Sequence, residues 1–160
     1  MALRDTVERL RDGRDRRADA AQSIAFWRAE VSKLYVAIEG WLKPYLDDGG
    51  IILERQPTSV TEDGLDPYEI DRLDIEVGTE TVRLDPRGTI VIGARGRIDM
   101  SHLGSGDPIY LVLVGSDDRP GWSIVEPKDR KNLRPLTKET FESALESLLE
   151  SYGVREEPPM

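Results

Sequence analysis

Tyr68–Val77 reads YEIDRLDIEV, and from Leu73 onward its apolar residues alternate with acidic ones. Because successive side chains of a β-strand point to opposite faces, the alternation predicts a strand with one buried and one solvated face. The turn-forming segment Gly78–Glu80 follows, and a second β-type run, Thr81–Leu84, begins after it. Asp85–Gly88 is expected to turn the chain again. The stretch therefore predicts an antiparallel hairpin.

Further short β-type runs lie on both sides of this hairpin. Ile51–Gln56 precedes it, and Thr89–Met100, Ile109–Val114 and Trp122–Val125 follow it, separated by segments rich in Gly, Pro and Asp. No helical pattern lies between these runs, which argues against a parallel, doubly wound sheet. The sequence predicts an antiparallel β-meander of about five to six strands.

Two amphipathic helices are predicted to flank the meander. Within Arg14–Leu46, apolar residues from Ile24 to Tyr45 recur at alternating spacings of three and four, the pattern of a helix with one apolar side. Gly13 is expected to separate a weaker upstream helix from this one. At the other end of the chain, Thr137 is suited to cap a helix and Gly153 to end it. The predicted fold class is α+β, a meander packed by a long N-terminal helix and a C-terminal helix.

The length of 160 residues suits one domain. Residues 1–13 are expected to form a mobile or weakly helical N-terminal segment, 14–153 a single α+β domain, and 154–160 a disordered tail. The first helix could pack on the sheet or bind a partner, and the sequence pattern favours packing.

Charge and composition limit the function. The formal net charge is −9, so broad nucleic-acid binding is not expected. The absence of cysteine and the presence of one histidine exclude disulfides, thiolate metal sites and zinc sites built from several histidines. No apolar run is long enough to cross a bilayer, so we expect no membrane association and a cytoplasmic location.

The segment Gly88–Met100 reads GTIVIGARGRIDM and is the part of the chain most typical of a site. On a strand, Arg95, Arg97 and Asp99 would share one face. They could hold an anion through the two arginines, or a divalent cation such as Mg²⁺ or Mn²⁺ through Asp99. His102 is a nearby candidate acid, base or ligand. The alternative interpretation is an exposed ion pair, with Gly88 closing a turn and Gly93 and Gly96 allowing a bulge or bend.

One resemblance concerns Gly96–Asp99, which reads GRID and is followed by a glycine-containing turn and an apolar strand. This arrangement resembles the middle of restriction-endonuclease-like (PD-(D/E)xK) nucleases. The resemblance implies that Asp99 is a metal ligand and that Glu30 or Glu39 is the acid contributed by a helix. Ile109–Val114 lacks the family's further acid and lysine, so the implied metal-dependent nuclease or hydrolase is degenerate.

A broader resemblance rests on the Pro-x-Gly-Thr phrase at Pro86–Thr89 and the Gly-Arg-x-Asp phrase at Gly96–Asp99, followed by Trp122 and Phe141. The chain resembles a set of small uncharacterised bacterial proteins, which implies a bacterial cytosolic origin and no particular activity. Our first prediction is a non-enzymatic accessory, immunity-type or chaperone-type domain without a cofactor. It would act on a protein partner, or as a homodimer through the amphipathic helix. The alternative is the degenerate nuclease or hydrolase centred on Asp99.

Overall fold

The computed structural model has the predicted α+β organisation and describes residues 2–89, 94–104, 106–116, 118–126, 129 and 131–156, with the backbone alone for 151–156. The helices are α1 (Leu3–Trp41), α2 (Lys43–Asp47) and α3 (Lys138–Glu156). The strands are β1 (Ile51–Val60), β2 (Tyr68–Val77), β3 (Glu80–Gly88), β4 (Gly96–His102), β5 (Ile109–Gly115), β6 (Pro120–Val125) and β7 (Arg134–Pro135).

The sheet is an antiparallel meander in which each strand pairs with the next one in the chain, in the order β1-β2-β3-β4-β5-β6-β7. The predicted meander is confirmed, but it has seven strands rather than five to six. The missed strand, β7, has only two residues, too few to show an alternating pattern. Strand β2 has the predicted bounds, and it pairs with β1 over ten residues, from Ile51 opposite Val77 to Val60 opposite Tyr68.

Strand β3 is longer than predicted. The expected turn Asp85–Gly88 is instead its last part, where Asp85 lies opposite Asp99 and Pro86 opposite Ile98. The ladder between β2 and β3 ends at Leu84. Proline is tolerated at position 86 because it lies beyond the end of that ladder, where β2 needs no N–H from β3. Strand β4 begins at Gly96 rather than Thr89, and residues 90–93, including Gly93, lie outside the described residues.

Both long helices continue past the glycines that were expected to end or divide them. Helix α1 runs without interruption through Gly13, because one glycine costs a helix only about 1 kcal/mol relative to alanine. Helix α3 continues past Gly153 to Glu156, so the first residues of the expected tail are helical. Residues 157–160 lie outside the described part. Of the helices described, none has both the length and the apolar character needed to span a membrane.

The core lies between one face of the sheet and the helices. Its fully buried side chains include Trp27 and Ile38 of α1, Leu84 and Ile98 of the sheet, and Phe141 of α3. Two pairs of aromatic rings join the elements, with centroids 5.8 Å apart for Trp27 and Trp122 and 5.6 Å apart for Trp41 and Phe141. We call the face under α1 and α3 the covered face, and the opposite face the open face.

Candidate functional site

Strand β4 sends alternate residues to the two faces of the sheet. Gly96, Ile98 and Met100 are buried on the covered face. Arg97 and Asp99 lie on the open face, with side chains 34% and 18% exposed. The predicted shared face of these two charged residues therefore corresponds to the geometry of β4, since next-but-one residues of a strand point the same way.

Gly96 lies directly under the indole ring of Trp27. A Cβ atom at this position would approach Trp27 to 2.2 Å, far inside van der Waals contact. The glycine is therefore required by packing against α1, and the expectation that it allows a bend does not describe its role. Gly88, which was expected to close a turn, lies instead at a bulge in the pairing of β3 with β4.

The open-face site consists of Arg97, Asp99 and three residues around them. Arg97 Nε lies 2.9 Å from Asp99 Oδ1, and Arg87 Nε lies 3.6 Å from Asp99 Oδ2. Arg87 Nη1 also lies 3.3 Å from Asp85 Oδ2. The guanidinium of Arg97 stacks on Tyr110, 4.8 Å from the ring centroid. Two carboxylates thus face two guanidinium groups, so the charges of this cluster balance one another.

The environment of Asp99 is less favourable to its charge than the nearby arginines suggest. Burial raises the pKa of Asp99 above its ordinary value, while Arg97 and Arg87 act in the opposite direction and Asp85 adds to the increase. Within the described residues, Arg97 Nε and Asp99 Oδ1 are close but are not aligned for a hydrogen bond. The contact is an ion pair of poor geometry.

Arg95 does not join this cluster. It precedes β4 in a bend, where strand alternation no longer applies, and its guanidinium lies 4.2 Å from the ring centroid of Phe26 on α1. Its backbone N–H donates to the carbonyl of Leu113 at 2.7 Å. The predicted common face of three charges is therefore wrong for Arg95, which takes part in the packing of α1.

His102 is separated from Asp99 by the sheet. It is the last residue of β4, is 5% exposed, and lies on the covered face opposite Val82. Its Nε2 lies 2.9 Å from Glu80 Oε2. His102 lies within β4 because the strand extends two residues beyond its predicted end at Met100.

The two glutamates suggested as metal ligands also lie across the sheet from Asp99. Glu30 is buried on α1, and its Oε1 lies 3.2 Å from Lys33 Nζ; Glu39 is exposed on the same helix. Because α1 packs on the covered face, neither residue can share an ion with Asp99. Over the described ranges, no three His, Cys, Asp or Glu residues are grouped to hold a metal.

Sequence reasoning missed a buried carboxylate, Glu62, in the loop between β1 and β2. The Tyr68 hydroxyl donates to Glu62 Oε2 at 2.5 Å, and the backbone N–H of Thr89 donates to Oε1 at 2.7 Å. Burial, together with the bond to Glu62, raises the pKa of Tyr68. The network joins the loop to the end of β3 beside Gly88, and nothing local in the sequence indicates it.

A second missed feature is the first part of α1, Leu3–Ser23, which we call the arm. No residue of the arm is buried, whereas the rest of α1 contributes Trp27 and Ile38 to the core. Only the last three turns of the arm lie near the loop between β1 and β2, across a cleft lined by Gly13 and Ala20. The arm exposes large apolar side chains, with Leu3 77%, Val7 51% and Leu10 66% exposed.

Four of the six arginines of the arm lie near its apolar line, and all five of its acidic residues lie on the other side. Leu3, Val7 and Leu10 follow one another at spacings of four and three, and so lie on one line along the helix. The same or adjacent positions of the helix wheel carry four basic residues: Arg4, Arg11, Arg14 and Arg17. The five acidic residues also recur at spacings of three and four, on the opposite side: Asp5, Glu8, Asp12, Asp15 and Asp19. The arm therefore has an apolar side flanked only by positive charge, which we call its basic side.

No protein-family model matches the chain, and the searches of curated proteins and of solved structures found no significant match. The two resemblances noted from the sequence stay predictions.

Proposed function

We propose that this chain is a non-enzymatic protein-interaction domain and that the arm is its contact surface. The exposure of Leu3, Val7 and Leu10 on one line of the arm carries the proposal. Covering such side chains gains roughly 25 cal/mol for each Å² of apolar surface removed from water. An apolar line bordered by charge is typical of a helix that binds another protein.

The contrast within α1 supports the same proposal. The later half of the helix buries its apolar residues against the sheet, so its pattern is explained by the core. The arm has a similar apolar line and no covering surface among the described residues. A helix of 39 residues is about 58 Å long, whereas a ten-residue strand spans about 33 Å. The helix is thus longer than the sheet that it covers.

The open-face cluster has no catalytic role in this proposal. Arg87 and Arg97 are engaged by Asp85 and Asp99, and the other candidate residues lie on the far side of the sheet. An added anion or cation would have to displace one of these partners. The contacts of this cluster therefore support a structural role, in which Arg87 and Asp99 help to hold β3 and β4 together.

The test places a photoreactive amino acid at Val7 or, in a matched variant, at Asp12 on the opposite side of the arm. Val7 and Asp12 are both exposed and lie less than two helical turns apart, so the two variants differ mainly in which side of the arm carries the photoreactive group. We expect protein adducts from position 7 and far fewer from position 12 when cells producing each variant are irradiated. Equal adducts from both positions, or none from position 7, would contradict the proposal.

A further inference from the structure

We infer that the arm binds a second copy of this chain, and that the basic side of each arm docks in a groove between α2, β1 and α3 of the other copy. This inference rests on the proposed function of the arm. It adds the identity of the partner and the surface that receives the arm.

The receiving groove has an apolar floor and an acidic rim. Leu42, the residue between α1 and α2, lines it together with Tyr45 of α2, Ile51 of β1, and Leu145 and Leu149 of α3. Its volume is about 290 Å³, and Tyr45 is 46% exposed. The rim is formed by Glu142, Glu146 and Glu150 of α3.

The rim glutamates repel one another in the isolated chain. They recur every four residues, so they are neighbours on the surface of α3. The Glu146 carboxylate raises the pKa of Glu150 through a shared hydrogen bond and like-charge repulsion. Like charges at this spacing destabilise a helix, whereas a cation placed between them stabilises it. The groove therefore favours a partner that brings positive charge beside an apolar line.

The basic side of the arm has both an apolar line and positive charges, and their spacing is close to that of the groove residues. Its apolar line from Leu3 to Leu10 would meet the groove floor, and Arg4 and Arg11 flank that line. The two arginines are seven residues apart, or about 10.5 Å along the helix. Glu142 and Glu150 are eight residues apart, or about 12 Å. Apolar contact and ion pairing can thus form together over the same two turns.

The groove of the same chain is out of reach of its own arm. Leu10 and Leu42 are separated by 32 residues of one continuous helix and its cap, a distance of about 48 Å. Docking must therefore join two chains. Because each copy has one arm and one groove, reciprocal docking gives a closed, two-fold dimer in which the contact occurs twice.

A charge-swap experiment tests this arrangement, with the mass of the full chain measured by light scattering at micromolar concentration and low salt. The arm variant carries Arg4→Glu and Arg11→Glu, and the groove variant carries Glu142→Arg and Glu150→Arg. We expect a dimer for the original chain and dimerisation weaker by on the order of tenfold or more for each variant alone. An equimolar mixture should dimerise again, because each altered arm then meets an altered groove of opposite charge.

The control is Arg9→Glu with Arg16→Glu, which makes the same change at the same spacing on the other side of the arm. This variant should dimerise like the original chain, and circular dichroism should show all variants folded. A monomeric original chain, a dimer insensitive to both reversals, or a mixture that stays monomeric overturns the inference. Adducts to a different protein from position 7 in the photocrosslinking test would then leave the proposed function standing.

Discussion

The two faces of strand β4 contain consecutive residues in very different environments. On the covered face, Gly96 and Ile98 are buried under α1, and their identity is determined by packing. On the open face, Arg97 and Asp99 are partly exposed and belong to a cluster whose charges balance. The comparison shows that Gly96, the least reactive residue of the segment Gly96–Asp99, is the one that the fold requires. The charged residues that suggest chemistry are engaged with each other.

The largest effect is expected from Gly96→Ala on the covered face. The added methyl group would overlap the indole ring of Trp27, and relieving such overpacking costs about 3 kcal/mol. Urea unfolding of the variant measures this loss. Gly121→Ala in β6 is the matched control, since no atom of the described residues lies within 4 Å of its Cβ position. A Gly96→Ala protein as stable as the control would show that Trp27 is not seated on β4.

A smaller effect is expected from Asp74→Asn on the open face. Asp74 accepts two hydrogen bonds from Arg83, at 2.8 and 3.1 Å, and the bond to Asp74 raises the pKa of Arg83. Loss of one charged, hydrogen-bonded partner should cost about 1 to 3 kcal/mol of unfolding free energy in urea. Asp47→Asn, in an exposed pair with Lys43, should change it by less than about 0.5 kcal/mol. Equal losses would indicate that the two-bond geometry contributes nothing.

The smallest effect is expected from Asp99→Asn, because its ion pair with Arg97 is poorly aligned. Burial raises the pKa of Asp99 above its value of 3.8 in an unfolded chain, so the folded protein holds this proton more tightly than the unfolded one. The stability that this carboxyl contributes is therefore complete below the unfolded pKa and is lost as pH rises through the folded pKa.

Urea unfolding of the original chain and Asp99→Asn across the acid range checks this sign. The stability of the original chain relative to the variant should fall as pH rises, and the two should agree within about 1 kcal/mol near neutrality. A relative gain with rising pH would mean that Arg87 and Arg97 outweigh burial. The cluster would then stabilise the charged form of Asp99.

Much of the sheet could be predicted from the sequence because strand geometry is local. The bounds of β2 and the single face shared by Arg97 and Asp99 follow from alternation within a few residues. Arg95 and His102 were misplaced because the ends of β4 depend on its pairing with β3 and β5, which alternation does not report. The hydrogen bonds of Glu62 were missed because Tyr68 and Thr89 come from separate strands.

The sequence by itself determined that this chain forms a meander between two amphipathic helices, because periodicity and turn residues act over short distances. Only the tertiary structure decided which face of the sheet is covered and which half of α1 is packed. It placed Trp27 over Gly96 and left Leu3, Val7 and Leu10 exposed. The apolar patterns of the two halves are similar, and they differ in burial because packing depends on how far the sheet extends beneath the helix.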